Sequence, residues 1–176
     1  YAGQRIGMMV ISDALFNTKS DNIAKRFGSD IFGNAMIFGT VYALSSGTAH
    51  SAQYALAAIL KAANNGTFNF RDDVIEYGKK AHIMKNLFTQ NGFKIVYDKD
   101  LDDPIADGFY FTYSYPGFSG EELLKELLYY GISAISLSIT GSEKTEGMRA
   151  CVSLVQRNQF PALEQRLKCF YENHPY

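Results

Sequence analysis

Residues 69–92, NFRDDVIEYGKKAHIMKNLFTQNG, carry the longest periodic pattern in the chain. Their apolar side chains recur at spacings of three and four residues, which on a helix makes one continuous apolar stripe. The stripe consists of Phe70, Val74, Tyr77, Ala81, Met84 and Phe88. Asn69 is placed to cap this helix, and Asn91-Gly92 is placed to end it. A helix of about 22 residues is about 33 Å long, as long as a small domain is wide, so we predict that it joins two bodies.

After Gly92 the sequence changes to short elements in the order strand, strand, helix, strand, strand, helix. Strand-like patterns cover residues 93–98, 107–115, 132–139 and 148–155. Ser119-Gly-Glu-Glu122 fits a capping box and predicts a helix that runs up to Gly131, while Pro161 marks the first turn of the last helix. This order predicts an α+β domain with a sheet of three to four strands and helices packed on one face.

The pattern before the long helix is less regular. Ile6–Ile11 is apolar on both faces, which predicts a strand buried within a larger sheet. A short helix is predicted over Asp21–Phe27, and small residues predict a further helix over Ala49–Ala63. Between these helices, residues 32–44 are apolar but interrupted by glycine, and the pattern favours no single type of element.

Composition excludes several classes of protein. The 176 residues suffice for one ordinary domain or a domain with an appended arm, and 47% hydrophobic with 20% charged residues is the balance of a soluble globular protein. A net charge of −1 argues against binding DNA, RNA or an anionic membrane through a basic surface. No apolar run reaches the roughly 20 residues that span a bilayer, so we expect a cytoplasmic protein. The chain starts at Tyr1 with neither an initiator Met nor a signal peptide, and we interpret it as part of a longer protein.

The common catalytic motifs are absent from the sequence. It has no Gly-x-Ser-x-Gly, no phosphate-binding loop that ends in Gly-Lys-Ser/Thr and no His-Glu-x-x-His. Its histidines are scattered at His50, His82 and His174. We interpret Cys151 and Cys169 as small core residues, and the acidic run 98–103 as a solvated turn, since it lacks the glycine and terminal glutamate of a calcium loop. No metal site is predicted.

Two arginines are the strongest candidates for a functional role. Arg5 lies in Ala2-Gly-Gln-Arg-Ile-Gly7, where two glycines permit close backbone approach at the head of the predicted strand. Arg149 begins a predicted strand in Gly147-Met-Arg-Ala-Cys-Val-Ser153. A guanidinium at a strand edge can bind a planar oxyanion through two parallel hydrogen bonds, which a lysine cannot do. The alternative is that each arginine is a surface ion-pair residue.

These segments resemble motifs of the class I/II aminotransferases, the fold-type I enzymes that use pyridoxal phosphate (PLP). In that family the Gly-x-Arg-x-Gly motif follows the Schiff-base lysine, which lies eight residues before the arginine. That spacing places the lysine upstream of Tyr1 and leaves no catalytic residue in this chain. Gly147-Met148-Arg149 is similar to the closing stretch in which an arginine binds the substrate α-carboxylate. Residues 51–60 are similar to the small-residue helix that follows the loop facing the neighbouring subunit, so the resemblance covers essentially the whole chain.

The resemblance implies an α/β protein in three parts. Residues 1–68 are a remnant of the large PLP-binding domain, residues 69–92 the long interdomain helix, and residues 93–176 the C-terminal small domain. Arg5 binds the cofactor phosphate and Arg149 the substrate α-carboxylate. The intact protein is a PLP-dependent homodimer that transfers an amino group between an amino acid and a 2-oxo acid, and this fragment is inactive alone.

Other functions stay open at this point. Another PLP reaction, such as decarboxylation, β-elimination or acyl transfer, depends on groups that this chain lacks. Where dicarboxylate-specific relatives carry an arginine, this chain has Gly39-Thr40-Val41, which argues against a strict aspartate enzyme. A different class of function is a non-catalytic α+β module that binds a partner through the aromatic strand Phe109–Tyr115.

Overall fold

The computed structural model describes residues 3–105 and 108–176, and the chain divides into two compact units. The first unit ends at Asn69 and the second runs from Phe70 to Tyr176. In its described part, the regular secondary structure of the first unit is helical, apart from one isolated bridge between Lys19 and Ile31. The second unit combines helices with an antiparallel sheet. Among the described residues, no helix is both long and apolar enough to cross a membrane.

Short helices make up most of the first unit. They are α1 (Asp13–Phe16), α2 (Asp21–Phe27), α3 (Phe32–Asn34), a π-helical segment (Ala35–Tyr42), α4 (Ala43–Ser45) and α5 (His50–Asn64). The helix predicted over Asp21–Phe27 is confirmed, and so is the helix predicted over Ala49–Ala63, with its start one residue later. Gly28 ends α2 in the left-handed conformation that glycine adopts without strain.

Residues 32–45 form one continuous helical stretch, which the sequence pattern left unassigned. Gly33 and Gly39 interrupt the apolar pattern, but both lie where an aromatic ring packs on the backbone. A Cβ on Gly33 would lie 2.1 Å from the ring of Phe16, and a Cβ on Gly39 would lie 2.5 Å from the ring of Phe27. These glycines therefore allow close packing on a helix and do not end it.

The buried strand predicted over Ile6–Ile11 does not form, so that prediction is wrong for this structure. The segment is irregular, and Met8, Met9 and Val10 are 65%, 60% and 83% exposed. A strand needs a neighbour to pair its backbone N–H and C=O groups, and the described part of the first unit supplies none. An apolar composition is therefore not sufficient for this segment to form a strand.

In the second unit, the long helix comes first. Its elements are α6 (Phe70–Gln90), β1 (Lys94–Ile95), β2 (Lys99–Asp100), β3 (Asp103–Pro104), β4 (Tyr110–Ser114), α7 (Gly120–Tyr129), β5 (Ile135–Ser136), a 3₁₀ turn (Leu137–Thr140), β6 (Met148–Cys151), a second 3₁₀ turn (Arg157–Gln159) and α8 (Phe160–Asn173). The predicted helices are confirmed, together with the capping box at Ser119 and the place of Pro161 in the first turn of α8.

Four short strands form an antiparallel sheet in the order β1-β4-β6-β5. The strand predicted over 132–139 is much shorter, because Ile135–Ser136 alone pairs with β6 and the next four residues turn into a 3₁₀ helix. The acidic run 98–103 lies in a separate hairpin of β2 and β3, whose exposed turn is at residues 101–102. The predicted α+β fold class is confirmed.

Helices α6, α7 and α8 pack on one face of this sheet. Alternate residues of β4 and β6 enter the same core as the buried side chains of the three helices, and these inward residues are Phe111, Tyr113, Met148 and Ala150. The ring centroid of Phe88 on α6 lies 4.4 Å from that of Tyr113 and 5.5 Å from that of Phe111. By its packing α6 belongs to the second unit, and its role as a connector between two enzyme domains stays a prediction.

Candidate functional site

Arg149 lies in the middle of the sheet, on the face opposite the core. Successive side chains of β6 point to opposite faces of the sheet. Met148 and Ala150 are therefore buried among the helices, while Arg149 points to the other face. Its residue partners are Thr112 on β4 and Ile135 on β5, one on each side. A residue on an inner strand is held by neighbouring strands on both sides, so the backbone of Arg149 is fixed in place.

The guanidinium of Arg149 has no carboxylate partner among the residues that the structure describes. Its Cζ lies 4.3 Å from the ring centroid of Tyr110, which covers one side of the guanidinium in cation–π geometry. Its Nε is buried without a hydrogen-bond partner. A buried N–H without an acceptor is unfavourable, so such groups mark strain or a missing ligand. Arg149 is therefore the best-defined candidate for binding an anion.

Cys151 lies two residues further along the same face of β6. Its half-buried thiol is 3.3 Å from the hydroxyl of Ser153. Burial raises the pKa of the Cys151 thiol, but hydrogen bonds from Ser153 and the backbone N–H of Leu154, with the charge of Arg149, bring it below its ordinary value. The interpretation of both cysteines as core residues is wrong, because strand alternation puts Cys151 opposite the core and Cys169 is exposed on α8.

Lys80 is a buried cation that the sequence pattern did not single out. It is 5% exposed, its Nζ donates to the backbone oxygen of Ser153 at 3.2 Å, and it lies 5.7 Å from the ring centroid of Tyr77. The bond ties α6 to the segment that directly follows β6, and so supports the strand that carries Arg149. The sequence contained a signal for the burial of Lys80. This residue lies three residues after Tyr77 and four before Met84, at the edge of the apolar stripe.

Arg5 lies in the first unit, exposed at an open depression of about 560 Å³. The depression is lined by Gln4, Arg5, Ile6, Gly7, Ala52, Ala55, Leu56 and Ile59. The hydroxyl of Ser51 on α5 donates to Gln4 Oε1 at 2.8 Å, which fixes the segment to α5. Among the described residues no carboxylate pairs with Arg5. A Cβ on Gly3 or Gly7 would meet no atom within 4 Å, so the close backbone approach predicted for these glycines does not occur here.

The three histidines do not form a site. His50 is exposed at the start of α5, His82 is exposed on α6, and His174 lies 3.1 Å from Glu126 Oε1. No group of three side chains that could hold a metal occurs in residues 3–105 and 108–176. His174 instead belongs to the anchor of the C-terminus, since the Tyr115 hydroxyl donates to its backbone oxygen at 2.5 Å. Burial raises the pKa of Tyr115 to about 12, so this donor keeps its proton.

The architecture of the chain is that of an aminotransferase-like fold. Among solved structures it is similar to LysN, the α-aminoadipate aminotransferase from Thermus thermophilus, which was solved in complex with N-(5'-phosphopyridoxyl)-L-leucine. The TM-score is 0.56 and the sequence identity is 14%. At this identity the likeness shows the fold alone.

The match covers 75% of this chain and 33% of the chain of LysN, so the chain spans about a third of the length of that aminotransferase. No family model matches the sequence, and no curated protein matches it. Arg5 and Arg149, the two residues that the sequence singled out, lie in different units. The roles predicted for them stay predictions.

Proposed function

We propose that the chain is the C-terminal part of a PLP-dependent aminotransferase, which transfers an amino group between an amino acid and a 2-oxo acid. The observation that carries this proposal is the Arg149 guanidinium, which has a buried Nε without a partner and forms no ion pair with a carboxylate of the described residues. The aminotransferase-like fold supports it, and so does the pyridoxyl adduct of leucine in the similar structure. On this proposal Arg149 binds the α-carboxylate of the substrate.

Arg149 acts as a positioning group for the substrate. Its guanidinium forms two parallel hydrogen bonds to a carboxylate, and these fix the plane of that carboxylate as well as its position. The ring of Tyr110, 4.3 Å away, limits rotation of the guanidinium. Holding the carboxylate in one plane selects which bond at the α-carbon is oriented for reaction, and such positioning accounts for several kcal/mol of a barrier.

Arg5 is the proposed partner of the cofactor phosphate. The chemistry of the two arginines fits the groups they are assigned, since each is a cation with no ion-pair partner in residues 3–105 and 108–176, and the ligands are a phosphate and a carboxylate. When bound, PLP supplies the electron sink for chemistry at the α-carbon. Because the chain spans about a third of the length of LysN, the activity is proposed for a longer, homodimeric, cytoplasmic protein that contains this chain, and on this proposal the chain alone is inactive.

The alternatives are affected differently by the structure. Three aromatic residues of the strand Phe109–Tyr115 are buried in the core, namely Phe111, Tyr113 and Tyr115. Only Phe109 and Tyr110 stay exposed, so a module that binds a partner through this strand loses most of its surface. Other PLP reactions stay alternatives, and a panel of amino acids assayed with and without 2-oxoglutarate separates them from transamination.

Replacing Arg149 by Lys in the longer protein tests the proposal, because the substitution keeps the charge and removes the planar fork. We expect KM for the amino acid to rise, kcat to fall, and kcat/KM to fall about 10- to 150-fold, which corresponds to a loss of about 1.5–3 kcal/mol. The absorbance of the bound cofactor stays as in the parent, since Arg149 is not assigned to the cofactor.

Arg157→Lys is the matched control, because Arg157 lies in the same unit but is already paired with Glu76 at 2.6 Å. It should leave kcat/KM unchanged. Arg5→Lys should show the reverse of Arg149→Lys, with weaker retention of PLP and a smaller effect on substrate. If Arg149→Lys stays within about twofold of the parent in kcat/KM, Arg149 does not hold the carboxylate and the proposal fails.

A further inference from the structure

Four side chains lie next to Arg149 on the outer face of the sheet, the face opposite the core. Thr112 on β4 and Ile135 on β5 are directly across from Arg149, and such cross-strand neighbours have Cβ atoms about 5 Å apart. Tyr110 and Cys151 form the next pair on this face. None of these four positions holds an acidic or a basic residue. A ligand bound to Arg149 therefore meets an aromatic ring and an aliphatic side chain there, and no second charge.

The accessible part of Arg149 is the end of its guanidinium. Nε is fully buried, so a ligand cannot reach this atom. In the part of the chain that the structure describes, Nη1 and Nη2 make no hydrogen bond and are not buried polar atoms without a partner, so they are open to a carboxylate. Cζ lies 4.3 Å from the ring centroid of Tyr110 on β4, and this contact turns the guanidinium towards β4.

Ile135 lies on the other side of β6, away from Tyr110. It is 41% exposed and belongs to β5, the edge strand next to β6. Neighbouring strands are about 4.8 Å apart, so a tail of about four carbon atoms that extends from the carboxylate across β6 reaches Ile135. Contact with Ile135 removes an apolar tail from water, which is favourable, whereas a charged tail loses its hydration there and gains no partner.

We propose that this face binds carboxylates with an apolar tail of about four carbon atoms. Nη1 and Nη2 of Arg149 hold the carboxylate, and Ile135 packs on the tail. The binding needs only the residues of this chain, while its consequence for catalysis rests on the proposed function. In the longer enzyme Ile135 is then a specificity-determining residue, which favours amino acids with an aliphatic side chain of the size of norvaline over alanine.

Titration of the 176-residue chain with three acids tests the proposal, followed by the amide shifts of Thr112, Ile135 and Arg149. Pentanoate carries the tail, acetate lacks it, and glutarate has the length of pentanoate with a second carboxylate at the far end. We expect pentanoate to bind about tenfold more tightly than acetate, because contact with Ile135 shields its tail from water. Glutarate should bind within about threefold of acetate, since its charged end does not pack on Ile135.

Substitutions of Ile135 should change this order in two directions. Ile135→Thr keeps the β-branch that suits a strand, and should cut the preference for pentanoate over acetate to about twofold with acetate binding unchanged. Ile135→Lys places a cation at the far end of the ligand and should make glutarate the tightest of the three acids. Ile139→Thr is the matched control, because Ile139 is 76% exposed in the neighbouring 3₁₀ turn and should leave the preference unchanged.

Equal affinity for pentanoate and acetate, or a preference that survives Ile135→Thr, would overturn the assignment. In the longer enzyme, Ile135→Thr should lower kcat/KM for norvaline more than for alanine. The two proposals can fail separately. Preferential binding of pentanoate together with an unchanged kcat/KM in Arg149→Lys would refute the proposed function alone. Loss of activity in Arg149→Lys without any preference for pentanoate would refute the role of Ile135 alone.

Discussion

Arg149 and Arg157 illustrate how surroundings decide the role of an arginine. Arg157 donates to both carboxylate oxygens of Glu76, at 2.6 and 3.0 Å. This hydrogen-bonded pair lowers the pKa of Glu76 and raises the pKa of Arg157. Arg149 has an aromatic ring against its guanidinium, and no carboxylate of the described residues forms an ion pair with it.

Tyr110 is expected to act as a positioning residue for Arg149. Tyr110→Leu removes the ring but keeps an apolar side chain, so the guanidinium gains freedom to rotate. A cation–π contact contributes about 0.5–2 kcal/mol, so kcat/KM of the longer enzyme should fall about 2- to 30-fold, mostly through KM. Steady-state kinetics measures this. Tyr110→Phe keeps the ring and should restore the parent value, and equal KM for the Leu and Phe variants would contradict the assignment.

The pair of Glu76 and Arg157 should make stability depend on pH in acid. The pKa of Glu76 in the folded state lies below its ordinary value of 4.5, because of the hydrogen bond to Arg157. Its contribution is therefore fully present above pH 4.5 and is lost as the pH falls through the lower folded-state pKa. Thermal unfolding should show Arg157→Gln less stable than the parent at neutral pH, with a difference that shrinks in acid. A difference that is constant with pH would show that the ion pair does not cause it.

At the scale of elements, the parts that could be predicted are those specified by local signals. The stripe of α6, the capping box at Ser119 and Pro161 in α8 all act within one or two turns, and these helices form where the sequence predicts them. Strands depend on distant partners, so Ile6–Ile11 is unpaired and β5 shrinks to Ile135–Ser136. The surroundings of Arg149 could not be predicted for the same reason. The ring against its guanidinium belongs to Tyr110, which lies 39 residues away in sequence.

The packing of α7 on the sheet predicts opposite effects for two glycine substitutions. A Cβ on Gly120 would lie 2.7 Å from the backbone oxygen of Gly147 and 2.8 Å from Ser136 Oγ, so Gly120→Ala forces the helix start away from the sheet. We expect a loss of about 1–3 kcal/mol in the free energy of unfolding. Gly78 lies within α6 with no atom within 4 Å of an added Cβ, so Gly78→Ala should add about 0.5–1 kcal/mol.

Urea denaturation, followed by tyrosine fluorescence because the chain has no tryptophan, measures both changes. A stable Gly120→Ala variant would mean that the start of α7 is more loosely packed than these distances indicate. Loss of stability in Gly78→Ala would mean that the exposed face of α6 is constrained by something other than helix propensity.

At the scale of the whole molecule, the two units differ in how completely they bury apolar side chains. The second unit has one continuous core that joins its sheet to α6, α7 and α8. In the described part of the first unit only Ala35 and Ala52 are buried hydrophobic residues, while Phe38 and Leu44 are 66% and 83% exposed. The first unit therefore leaves its large apolar side chains exposed without a core of its own.

This surface predicts that the isolated chain associates with itself, since large contiguous apolar surface rarely stays in contact with water. The mass from light scattering should exceed that of the monomer and rise with protein concentration. Replacing Met8, Met9 and Val10 together by Ser removes exposed apolar area and changes no residue of the second unit. This variant should shift the equilibrium towards monomer. Leu101→Ser is the matched control, because Leu101 is 93% exposed but lies alone at the tip of the β2–β3 hairpin. A monomer at every concentration would show that the surface of residues 3–69 does not drive association.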